Sequence, residues 1–130
     1  MTTTQNSMGA FANLQGHQFM KLTTFRKTGV AVPTPVWFAQ EGDRLYVTTQ
    51  PDAGKIKRIR HTARVLVEPC TVRGDSLGPS VEARARELDA REGEQANRAL
   101  TRKYGIQKRL FDLFGMFSRA QRTYLEITLA

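Results

Sequence analysis

The sequence predicts a mainly β protein with a few helices: about six short antiparallel strands that curl into a barrel. Three observations lead there. Runs rich in Thr, aromatic and β-branched residues recur with period-two alternation. Tight Gly-containing turns punctuate them, as at Arg26-Lys27-Thr28-Gly29 and Gln40-Glu41-Gly42-Asp43. Antiparallel strands this short hide their edges by closing or half-closing into a barrel.

Each element follows in order. Residues 1–10 are polar and read as a flexible N-terminal tail, and residues 11–130 as one domain. The stretch Gly9 to Gly16 carries Phe11 and Leu14 in a short helix or docking turn. Phe19 to Phe25 is a strand. Val30 to Ala39 is a second, with Val30, Val32, Val36 and Phe38 on one face. Arg44 to Thr49 is a third, with Leu45 and Val47 inward and Tyr46 outward, so that the three form a meander. Asp52 is placed to cap a short helix from Ala53 to His61. Strands follow at Arg64 to Cys70 and Ser80 to Leu88, joined by the loop Arg73 to Pro79. Glu92 to Tyr104 is helical, with Gly105 at its C-terminal cap. Ile106 to Phe117 is a second amphipathic helix, and Arg122 to Leu129 the last strand.

Composition narrows the function. The 130 residues include one cysteine, Cys70, and two histidines, His17 and His61. That set holds neither a disulfide framework nor a structural zinc site. Cys70 follows the apolar run Val65 to Val67 and reads as a buried, inert thiol. There is no secretory signal and no apolar run long enough to span a membrane, which places the protein in the cytoplasm. The net charge is +8, a field that attracts polyanions: nucleic acid, an acidic membrane or a polyanionic small molecule. The Rossmann fingerprint, the P-loop and the RNA-binding aromatic signature are missing. With little acid–base machinery to draw on, a cofactor that brings its own reactivity suits the chain.

Two segments carry candidate chemistry. In Val32-Pro33-Thr34-Pro35-Val36-Trp37-Phe38, two prolines two residues apart both lack the N–H that would face one edge. The strand is either a plain edge or one whose edge faces a ligand, with Trp37 as a flat surface for a ring. In the second segment, Thr48 and Thr49 lead into a turn followed by Gly54-Lys55-Ile56-Lys57-Arg58-Ile59-Arg60. A helix N-terminus with Lys55 beside it suits a phosphate, and Lys57, Arg58 and Arg60 add positive charge. The competing reading is a solvated basic face anchored by Ile56 and Ile59.

These two segments resemble the pyridoxamine-phosphate-oxidase-like split-barrel superfamily. So do Leu22 to Gly29, Gly42 to Val47 and Gly78 to Ala85, and the resemblance runs from about Leu14 to Leu129. It is nearest to the deazaflavin branch, which uses coenzyme F420. The resemblance implies an FMN-binding-like split β-barrel, and a homodimer with cofactor clefts at the interface. It implies that Pro35, Val36 and Trp37 line the cofactor ring and that Thr48 and Thr49 lie near its ribityl-phosphate arm. Gly54, Lys55 and Lys57, with Arg60, would hold the phosphate. Coenzyme F420, with its phosphate and glutamate tail, accounts for the positive charge better than FMN, the alternative; Arg84 and Arg86 would follow the tail. The implied reaction is hydride transfer to an unsaturated small-molecule acceptor, with Tyr46, an arginine or solvent supplying a proton. A carrier or storage protein for FMN, F420 or haem is the second reading, and a nucleic-acid-binding module the third. The loop Gly74 to Pro79 and the segment Phe111 to Phe117 would shape the acceptor pocket.

Overall fold

The computed structural model describes residues 10–51, 53–105 and 122–130. The described chain forms one antiparallel sheet of seven strands and two helices. In chain order these are β1 (Phe19–Phe25), β2 (Ala31–Trp37), β3 (Ala39–Glu41), β4 (Arg44–Thr49), α1 (Gly54–His61), β5 (Arg64–Cys70), β6 (Val81–Glu87), α2 (Ala90–Tyr104) and β7 (Thr123–Leu129), with a 3-10 turn at Ala12–Leu14 before them. The sheet order is β2-β1-β5-β6-β7-β4-β3. Its two end strands, β2 and β3, are consecutive in the chain and separated by Phe38 alone. The sheet therefore curls until its ends meet at one corner. β2 lies beside β4 with no ladder between them, and this gap is the split of the barrel.

The expected second strand, Val30 to Ala39, is thus two strands. The meander does not form: β2 pairs with β1, whereas β3 pairs with β4. The physical reason lies in the prolines. Lacking N–H donors, Pro33 and Pro35 are tolerated on a strand with one open edge, which is what β2 has. Val30, expected on the core face, is exposed in the β1–β2 turn.

Inward side chains follow the two-residue period: Met20 and Leu22, Leu45 and Val47, Val65 and Val67, Ala83 and Ala85, Leu125 and Ile127. Phe11 and Leu14 plug one end of the barrel, and Ile56 and Ile59 of α1 plug the other. A second cluster lies outside the barrel, where α2 covers the outer face of β3, β4 and β7 with Ala96, Ala99, Leu100 and Tyr104. This corrects the expectation for Tyr46. It does point away from the barrel, yet it is fully buried, because α2 packs on that face. The helix starts two residues before the expected Glu92, since Asp89 and Glu92 form a reciprocal capping box. Asp52 and the Ile106 to Phe117 helix lie outside the described residues.

Candidate functional site

The inward rows of β1 and β4 do not stay apolar to their ends. Met20 and Leu22 are followed by Thr24, and Leu45 and Val47 by Thr49. Both threonines are buried, at the end of the barrel where α1 sits. Each hydroxyl accepts a hydrogen bond from a cation of α1. The Arg58 Nε donates to Thr24 Oγ1 at 2.6 Å, and the Lys55 Nζ donates to Thr49 Oγ1 at a longer 3.4 Å. Gly54 opens the helix. A Cβ there would stand 2.8 Å from the Arg58 Nη1, so the guanidinium folds back against the first residue of α1.

The electrostatics are one-sided. The first turn of α1 holds no acidic residue, and no side-chain cap bonds to it among the described residues. Its free N–H groups add roughly half a positive charge. Burial, with the Arg58 charge close by, holds the Lys55 ammonium below its ordinary value. Elsewhere several arginines meet carboxylates: Arg60 with Glu87, Arg64 with Glu82, Arg86 with Glu92 and Glu126, and Arg102 with Glu41. Among the described residues neither Lys55 nor Arg58 has such a partner. Two cations, two hydroxyls and an uncapped helix start, half-buried together, fit a phosphate.

The other expected site residues fall at different places. Thr48 points the opposite way from Thr49 and donates to the Thr123 carbonyl at 3.4 Å. Lys57 is exposed on α1. Arg60 is engaged in a two-pronged pair with Glu87 at 2.9 and 3.0 Å, which lowers the Glu87 carboxyl's pKa and raises that of the arginine. Arg86 is likewise held by Glu92 and Glu126, on the α2 side of the sheet. Val36 packs against the barrel core, while Pro35 and Trp37 lie on the opposite face of β2. Trp37 is half-buried and stacks on Tyr104, ring centroids 4.4 Å apart. Tyr46 is buried under α2, and its side chain meets that of Arg44. Cys70 is buried, and burial raises its thiol pKa.

Sequence reasoning passed over Thr24 and gave Arg58 no specific place. A signal existed for each. Thr24 continues the row of Met20 and Leu22, and Arg58 stands one helical turn after Gly54. A cavity of about 840 Å³ lies at the opposite end of the barrel, lined by Leu14, Phe38, Gln40, Arg102 and Lys103 among others; it is separate from the basic cluster. No group of metal-binding side chains occurs among the described residues. None of the described helices is long and apolar enough to cross a membrane.

Residues 10–130 match the family model for pyridoxamine 5'-phosphate oxidase. No curated protein matches the chain. Among solved structures, an FAD-binding protein from Mesorhizobium loti is 19% identical, with a TM-score of 0.68 over 95% of this chain and 89% of its own. A haem storage protein from Vibrio cholerae is 12% identical, with a TM-score of 0.68 over 92% of this chain and 87% of its own. An F420 reductase is 19% identical, with a TM-score of 0.60 over 94% of each chain. At these identities the likeness is one of fold.

Proposed function

The chain belongs to the pyridoxamine 5'-phosphate oxidase family, and from that premise we propose that it is a cytoplasmic, homodimeric reductase that uses coenzyme F420, with FMN as the alternative cofactor. The observation that carries the reading is the pair of partly buried cations, Lys55 and Arg58, which face two threonine hydroxyls beside a helix start without a side-chain cap.

In this reading Thr24, Thr49, Lys55, Arg58 and the first N–H groups of α1 hold the cofactor phosphate. Lys57, exposed on the same helix, serves the outer side of that phosphate or the tail beyond it. The open edge of β2, from Pro35 to Trp37, takes the ring, because two missing donors leave that edge less able to recruit another strand. Bound and reduced, the cofactor supplies a hydride to an unsaturated organic acceptor. The chain's part is to position the ring, keep water from it and orient the acceptor. In this reading the acceptor's proton is drawn from solvent. Arg60 and Arg86, engaged with carboxylates, take no part in holding the cofactor.

The test is turnover. The purified protein, given reduced F420 or reduced FMN, is offered a panel of quinones, nitro compounds, enones and tetrapyrroles, and cofactor oxidation is followed optically. Catalysed oxidation by at least one acceptor is expected. Saturable binding without oxidation by any of them would make the protein a carrier.

A further inference from the structure

The corner at Phe38, where β2 passes into β3, leaves a buried backbone amide with no strand partner in the ladder. The Tyr104 hydroxyl fills that vacancy. It accepts from the Phe38 N–H at 2.9 Å and lies 2.8 Å from the Phe38 carbonyl oxygen and 2.6 Å from that of Gln18, to one of which it donates. The preceding residue grips the same corner: the Lys103 ammonium sits 3.4 Å from the Phe38 ring centroid and donates to the His17 carbonyl at 2.7 Å. The last turn of α2 is thus fastened to the corner on both sides of Phe38. One consequence reaches the open edge of β2. Tyr104, itself buried, lies almost parallel to the Trp37 indole, with an interplanar angle of 13°.

We propose that Tyr104 is a positioning residue, whose ring fixes the plane of Trp37 and through it the seat of a planar ligand ring on the β2 edge. The ligand half of this inference rests on the proposed cofactor site; the Trp37 half stands without it. Offset stacking at this distance favours one relative orientation, and the ring is held in place by its packing in the second cluster, while the hydroxyl bonds the corner backbone. Two roles are therefore separable within one side chain: the ring orients Trp37, and the hydroxyl holds the corner.

Trp37 is the chain's single tryptophan, so its emission reports on this one indole and its surroundings. The experiment compares wild type, Tyr104→Phe and Tyr104→Leu, each checked for folding by circular dichroism. It records Trp37 emission and iodide quenching in the free proteins, then affinity for FMN, coenzyme F420 and inorganic phosphate. Tyr104→Phe is expected to keep the emission maximum and cofactor affinity within about twofold. Tyr104→Leu is expected to move the emission to the red, raise iodide quenching several-fold and weaken FMN and F420 at least fivefold, with phosphate affinity unchanged. Phosphate is the control, since general loosening of the fold would weaken it together with the ring ligands. Unchanged Trp37 emission in Tyr104→Leu would overturn the proposal, and so would parallel loss of phosphate and cofactor. If wild type bound neither FMN nor F420, the cofactor reading would fall and the emission data would decide the Trp37 claim by themselves.

Discussion

Lys55 has two pH-dependent consequences of opposite sign. Its folded-state pKa is lowered from 10.5 by burial and by Arg58. Between the lowered value and 10.5 the unfolded chain keeps a proton that the folded chain has shed. Raising the pH through that window therefore favours the folded state. The same loss of charge weakens phosphate binding. The free protein should gain stability with pH there while cofactor affinity falls, as read by melting temperature and titration over the same buffers. Lys55→Arg, which stays charged, should abolish the fall in affinity and reduce the stability slope, the remainder coming from Lys103, whose pKa burial lowers to about 8. At neutral pH, Lys55→Ala and Arg58→Ala should each weaken the cofactor about ten- to a hundredfold, the value of one charged hydrogen bond of about 1.5–3 kcal/mol. Arg60→Ala should leave affinity within about twofold, because its guanidinium is held by Glu87; a tenfold loss on titration would return Arg60 to the phosphate site.

At the scale of elements, each end of α2 has an identifiable fastening. Asp89→Ala removes the capping box and should cost about 1 kcal/mol in denaturant unfolding. Tyr104→Phe leaves the buried Phe38 N–H without its partner and should cost about 1–3 kcal/mol, with the fold retained. The two costs differ in what the sequence could reveal. Asp89 and Glu92 stand at capping-box spacing, so that start is a local signal. The Tyr104 contact joins residues 66 apart, and nothing local announces it. The same distinction explains the strands. β1, β4 and β5 follow from alternation and turns and fall at their expected bounds. The break at Phe38 does not, because Val36, Trp37, Phe38 and Ala39 all suit an extended chain. It is the closing of the sheet on itself that forces the corner. Tyr46 shows the limit from the other side: alternation gives its direction correctly, but only the arrival of α2 makes that outward face a second core.

Across the whole molecule, positive charge is unevenly spent. Within the net charge of +8, Arg44, Arg64 and Arg86 of the sheet are matched by glutamates, while Lys55, Lys57 and Arg58 of α1 have no ion pair among the described residues. A polyanionic ligand should therefore bind with a steeper salt dependence than a simple phosphate, since screening over about 8 Å at physiological salt acts most on the outlying charges. Titrations at rising salt should show F420 affinity falling faster than FMN affinity. The sheet curled around one core, with a helix plugging one end, supplies a rigid frame for that cluster. The most direct measurement is an equilibrium fluorescence titration of wild type and a Lys55→Ala, Arg58→Ala double variant with coenzyme F420 and with FMN. Saturable binding of F420, tighter than FMN and lost in the double variant, is the predicted result. Equal binding by the variant, or no binding of either cofactor by wild type, would contradict the assignment of this cluster to a cofactor phosphate.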